Sequence, residues 1–186
     1  MQQQRPLNGL ILGLVALGLL VGVALTASPA WAVSGPGPYY AEPAWDQIKG
    51  AGRFLVLTNW NKEAVLDKET GLVWEQSPQT AAANALNARV NCAQKTVGNR
   101  KGWRLPAIPE LASLVDPSVP SPGPTLPAGH PFTNVQSALY WSATTIADFP
   151  PFVWNVSFFN GAVNGSDKAT SLQVWCVRGG MNADAY

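Results

Sequence analysis

Residues 117–131 hold six prolines and two glycines. No helix interior or central strand tolerates that density, because proline lacks a backbone donor and clashes with the turn before it. The stretch is a long loop, and it divides the chain by pattern. Ahead of it lie a strand hairpin and two helical runs, and behind it lie strand patterns alone. The order read from the residues is therefore hairpin, helix, second helix and then strands.

Strand runs are read at Phe54-Leu55-Val56-Leu57, Ala64-Val65-Leu66-Asp67 and Leu72-Val73-Trp74-Glu75, and the last two form the hairpin. Asp67 can fold an Asx turn and Gly71 can take the positive φ that a four-residue loop needs. Ser77-Pro78 has the form of a helix start, a hydroxyl cap followed by proline at the first helical position. The spacing predicts a helix from there to about Ala93, burying Ala82, Leu86, Arg89 or Val90, and Ala93 against a sheet, with Cys92 in its last turn. A second helix is expected over Ile108 to Val115, ended by Asp116-Pro117. Strand patterns return at Ala138–Ala143, Phe152–Phe158 and Leu172–Val177, and Asn160-Gly161 should fold the second of these back on Ala162-Val163.

The N-terminus speaks to compartment. Arg5 is the sole charge before Glu42, Leu10 to Leu25 is apolar apart from small glycines, and Ala30-Trp31-Ala32 is a small-x-small cleavage site. Residues 1–32 are read as a secretory signal peptide, which places the protein in the periplasm, on the cell surface or outside the cell. The competing reading is an uncleaved anchor, disfavoured because Pro29 interrupts the segment and no basic residue follows until Lys49. Residues 33–53 read as a Gly/Pro-rich spacer, 54–180 as one domain and 181–186 as a tail. Lys and Arg number 12 against 11 Asp and Glu, so removing Arg5 with the leader leaves basic and acidic residues in balance. That excludes docking to nucleic acid or to anionic lipid driven by net charge, and leaves local patches open.

Cys92 and Cys176 both lie in the exported part, where an oxidising compartment favours pairing. A bridge closing so long a loop is worth about 4 to 5 kcal/mol in the chain-entropy model. The alternative, a reactive or metal-binding thiol pair, lacks both C-x-x-C spacing and a nearby histidine. The chain's one histidine, His130, sits between Gly129 and Pro131 in the proline-rich loop and reads as a surface residue. Among the tryptophans, Trp74, Trp103, Trp141 and Trp175 have apolar neighbours and read as core; Trp45 and Trp60 have polar neighbours and are better candidates for exposed stacking. Trp154 alternates with Val153 and Asn155, which leaves its exposure open.

Several stretches together resemble one known family: Val65 to Trp74, Gly102-Trp103-Arg104-Leu105-Pro106 followed by Glu110-Leu111, Tyr140 to Thr144, and Cys176-Val177-Arg178-Gly179-Gly180. In order and spacing they are similar to the Lcl C-terminal domain family of exported bacterial proteins. The resemblance implies an α+β, C-type lectin-like fold with a twisted antiparallel sheet, two helices and long loops, a bridge between Cys92 and Cys176, and an architectural Trp-Arg-Leu-Pro segment in which Arg104 bonds backbone carbonyls. It does not carry over the calcium sugar site of true lectins, since Trp154-Asn155-Val156 lacks the ligating Asp and Glu42-Pro43-Ala44 lies far upstream. Nor does it carry over the copper chemistry of the similar formylglycine-generating enzymes, which needs cysteines beyond the structural pair. No metal and no cofactor is expected.

The resulting expectation is a non-catalytic binding module that presents loops from a disulfide-tied scaffold to a glycan or a cell-surface protein. The adhesin for which the family is named binds sulfated polysaccharide, so the resemblance implies carbohydrate, although balanced charge argues against a strictly sulfated ligand. The candidate ligand-binding residues are Asp148, Trp154, Asn155, Asn160, Asn164 and Asp167, polar groups beside an aromatic face. The same Asn-Gly pairs also serve plain turns. Alternatives are a structural subunit of an envelope assembly and, behind it, an enzyme. Ser142 has no Gly-x-Ser-x-Gly elbow around it.

Overall fold

The computed structural model describes residues 52–180. The leader expected over 1–32, Trp45, the spacer up to residue 51 and the tail over 181–186 lie outside the described residues. Ten strands and two α-helices follow in order: β1 (Phe54–Val56), β2 (Ala64–Asp67), β3 (Val73–Glu75), β4 (Gln79–Ala83), α1 (Ala85–Ala93), β5 (Trp103–Arg104), α2 (Ile108–Ala112), β6 (Leu139–Thr145), β7 (Phe152–Ser157), β8 (Val163–Asp167), β9 (Leu172–Val174) and β10 (Val177–Arg178). The class is α+β.

One twisted sheet was expected, and there are two five-stranded sheets, ordered β1-β2-β3-β10-β5 and β4-β9-β6-β7-β8. The first is antiparallel throughout. The second is antiparallel except where β6 meets β9, which runs parallel to it. The run Leu172–Val177, a single strand by pattern, is shared between them: β9 belongs to the second sheet and β10 to the first. Its crossing point, Trp175-Cys176, is held by Glu75 of β3. The Trp175 indole N–H donates to the Glu75 carbonyl at 2.9 Å, and the Cys176 N–H donates to the Glu75 carboxylate at 2.9 Å.

Local chemistry explains the turns. Asp67 accepts the Glu69 N–H at 3.0 Å, and Gly71 closes the β2–β3 loop at φ +71°, the conformation a side chain would resist. The helix reading of residues 77–93 needs correction at its front. Residues 79–83 form β4, paired with β9, and the helix begins only after Asn84, whose side chain accepts the Asn87 N–H at 2.9 Å. Ser77 takes a different partner, accepting from Asn134 Nδ2 at 2.8 Å.

The buried face of α1 also differs from expectation. Ala85, Ala88 and Cys92 are buried, whereas Ala82, Leu86, Arg89, Val90 and Ala93 are exposed, Leu86 by 69%. The disulfide supplies the reason: Cys92 is joined to Cys176 with a Cα–Cα distance of 5.4 Å. Once Cys92 faces the sheet, the residues four and seven before it face inward too, while Val90 lies about 160° round the helix. Alanine at 85 and 88 permits the close approach. The second helix stops at Ala112, three residues before the expected end, though Leu114 remains buried beyond it.

Two clusters make the core. One gathers around Trp175, whose ring lies 4.9 Å from Phe132, 5.6 Å from Trp74 and 5.7 Å from Phe158. The other holds Trp103, Trp141, Ala85, Ala88 and the disulfide. Trp74, Trp103, Trp141 and Trp175 are thus all interior, as their neighbours implied. The proline-rich loop has no regular structure yet is tied down: Leu126 is buried, and the Thr125 N–H donates to the Phe158 carbonyl at 2.9 Å.

Candidate functional site

The scaffold of the candidate site is braced by charge. Arg104, the second residue of the Trp-Arg-Leu-Pro segment, forms a two-pronged pair with Glu110, at 2.8 and 2.7 Å, and donates to the carbonyls of Leu105 and Gly179. The guanidinium therefore joins β5, α2 and the Gly179-Gly180 turn, the architectural role expected of it. Glu110 returns to the helix start and accepts the Ala107 N–H at 2.7 Å.

The polar candidates fall mainly on the β7–β8 hairpin. Phe152 lies opposite Asp167, Trp154 opposite Gly165 and Asn155 opposite Asn164. Directly opposed residues share a face and neighbours along a strand alternate. Trp154, Phe152 and Asp167 therefore belong to one side, and Asn155 and Asn164 to the other. Asn155 is fully buried, donates from Nδ2 to the Ser166 hydroxyl at 3.0 Å, and has an amide oxygen that no protein donor reaches. Asn160 occupies the turn at the far end and accepts the Ala162 N–H at 3.2 Å; exposed Asn164 donates to the Ala162 carbonyl at 3.3 Å. Asp148 is exposed on the β6–β7 loop, and Asp167, also exposed, accepts the Ala169 N–H at 2.8 Å.

The hairpin thus brings Trp154 and Asp167 to one face, with Asp148 on the neighbouring loop. It does not bring Asn155, Asn160 or Asn164 into that group. Three further residues complete the face and escaped sequence reasoning. Phe149, 56% exposed, lies 4.9 Å from Phe152, and Ile146 lies over Gly165 so closely that a Cβ there would come within 2.6 Å of its Cδ1. The available signals were Phe149-Pro150-Pro151-Phe152, an apolar pair flanking two prolines, which the structure folds into a turn closed by the Phe152 N–H on the Phe149 carbonyl at 2.9 Å, and a glycine inside an otherwise polar strand.

Other groups are differently engaged. The buried Ser142 hydroxyl donates to the Trp154 carbonyl at 2.6 Å. His130 stacks on Phe132 at 5.9 Å, and burial lowers its pKa from the ordinary 6.5. Burial likewise pushes the Tyr140 hydroxyl up to about 12, against a smaller opposing effect of the Gln136 N–H that it accepts. A cavity of about 340 Å³ opens between the start of α1 and the ends of β6 and β7, lined by Asn84, Leu86, Arg89, Thr145, Val153 and Lys168 among others; none of the candidate residues lines it. Among the described residues no three His, Cys, Asp or Glu side chains gather where they could hold a metal, and no helix is long and apolar enough to cross a membrane.

These features define a disulfide-tied α+β domain with an aromatic and acidic hairpin face. The Lcl C-terminal domain family model matches residues 63–178, and the chain belongs to that family. No curated protein matches the chain.

Proposed function

We propose that this is an exported, non-catalytic binding module of C-type lectin-like fold, and that it recognises a glycan through the Trp154 side of the β7–β8 hairpin, at its end away from the Asn160-Gly161 turn. The observation that carries the reading is the half-buried Trp154 indole set on the same face as Phe152 and Asp167. Its ring N–H makes no hydrogen bond within the described residues. An aromatic ring can stack on the C–H face of a sugar while carboxylates accept from its hydroxyls. The fold assignment draws support from the Cys92–Cys176 bridge between a helix end and the last strands, and from the Trp-Arg-Leu-Pro segment leading into α2.

The test is a glycan array probed with the exported protein, with and without calcium. Calcium-independent binding to a defined set of glycans, lost in Trp154→Ala and weakened in Asp167→Asn, is the expected result. A blank array from folded protein defeats it. The N-terminus of the exported protein should be Val33, read by mass spectrometry.

A second reading, a subunit of an envelope assembly, is favoured by the exposed Phe159 and Val163 at the end of edge strand β8. A stable oligomer that dissociates in Val163→Lys would support it in place of glycan binding.

A further inference from the structure

Cations are unevenly spread over a chain whose charges balance overall. Trp60, half-buried in the turn Thr58–Trp60, has the Arg100 guanidinium 5.5 Å and the Arg178 guanidinium 5.3 Å from its ring centroid, with Trp103 edge-on at 6.4 Å. Arg178 is oriented by its Nε–H, which donates to the Lys101 carbonyl at 2.8 Å. Arg100 and Lys101 are exposed, and Lys62 lies two residues beyond the indole. Of the ion pairs among the described residues, Arg53–Asp67, Lys95–Glu75 and Arg104–Glu110, none involves these four cations. The nearby carboxylate is Glu63, whose Oε2 accepts the Gly98 N–H at 2.7 Å.

An apolar row leads up to this cluster. Leu55, Leu66, Val73, Arg178 and Trp103 stand opposite one another in turn across all five strands of the first sheet. They therefore share one face, on which Trp103 is buried and Val73 packs with it into the second core cluster, so that Leu55 and Leu66 form its accessible edge. Leu55 is 49% exposed, and Leu66 and Val73 are half-buried. A free polyanion would use the cations and leave the leucines idle. A membrane surface uses both, since indole and aliphatic side chains enter the interfacial layer while arginine and lysine meet anionic headgroups.

We infer that the accessible rim of the first sheet, made of Leu55 and Leu66 with Trp60, Arg100, Lys101 and Arg178, is a peripheral docking surface for a membrane bearing anionic phospholipid. It lies apart from the β7–β8 face and does not depend on the glycan reading. Local charge supplies what the balanced total does not.

The experiment is flotation of the full chain with vesicles of phosphatidylcholine alone and with vesicles containing added phosphatidylglycerol. The apolar stretch Leu10–Leu25 contributes to both, so the difference between them reports the patch. The docking surface predicts stronger binding to the anionic vesicles, lost in high salt, with the preference reduced about thirty-fold in Arg100→Gln/Arg178→Gln. Should that variant unfold, Arg100→Gln/Lys101→Gln removes two exposed charges without touching a side-chain hydrogen bond and should give a comparable loss. Leu55→Ser should weaken vesicle binding while leaving the salt dependence intact. Equal binding to both vesicles, or a preference unchanged in the charge variants, overturns the proposal. So does capture by soluble dextran sulfate that depends on Arg100 but not on Leu55, an outcome that would assign the patch to a free polyanion.

Discussion

The two sheets are stabilised by different means. Strands of the first carry Asp67, Glu75 and Arg104, each held in an ion pair and further hydrogen bonds: Asp67 by Arg53 and Thr70, Glu75 by Lys95 and the Cys176 N–H, Arg104 by Glu110. The β7–β8 hairpin at the edge of the second has Asp167 on its rim with only a turn N–H to hold. Buried charge without a partner is costly, so each paired carboxylate admits one arrangement of its surroundings. The first sheet is thereby a charge-braced frame, and the exposed rim of the hairpin, Asp167 among it, carries side chains that no ion pair holds.

The largest blow to the frame is removal of the bridge. Cys92→Ala/Cys176→Ala should lower unfolding stability by about 4 to 5 kcal/mol in urea titrations, because 84 residues separate the two cysteines. A loss below about 1 kcal/mol would mean that α1 is held to the sheet by packing alone. Next comes Asp67→Asn, which keeps an acceptor for the turn but leaves the Arg53 guanidinium uncompensated. It accepts from Arg53 at 2.8 and 2.7 Å and is fully buried, so the expected cost is about 3 kcal/mol, checked by the same titration.

A pair of glycines sharpens the contrast with the smallest change. Gly98 has φ +62°, and a Cβ there would stand 2.7 Å from the Trp60 Cβ, beside backbone that cannot retreat. Gly165 has an ordinary φ, and its added Cβ would meet the mobile end of Ile146. Gly98→Ala should cost about 2 kcal/mol and Gly165→Ala under about 1 kcal/mol, measured as shifts in thermal midpoint. Equal costs would erase the distinction between frame and hairpin.

Much of the fold was legible where a turn or a strand is specified by its own residues. Asp67 and Gly71 predicted the β2–β3 loop, Asn160-Gly161 the β7–β8 turn, and apolar neighbours the four buried tryptophans. The misreadings were of another kind. Ser77-Pro78 has the chemistry of a helix start, but pairing with β9 claims residues 79–83 for a strand, and tertiary hydrogen bonds outweigh alanine's helix preference. The candidate site was half legible. Alternation along Trp154-Asn155 implied that the two side chains part company, yet which of them is buried depends on what covers each face. The cluster of Arg100 and Arg178 about Trp60 was invisible for the same reason, since these residues are remote in the chain and meet only through β5 and β10.

The sequence by itself determined the α+β class, the turns, the loop of prolines and the family, because each rests on residues close enough in the chain to constrain one another's backbone. Only the tertiary structure decided that Leu172–Arg178 is split between two sheets, that Cys92 rather than Leu86 sets the inward face of α1, and that Asn155 is enclosed while Trp154 is not. Those outcomes come from strand pairing and a covalent bridge between distant segments. Their energy depends on the whole arrangement of partners, which no local window of residues contains.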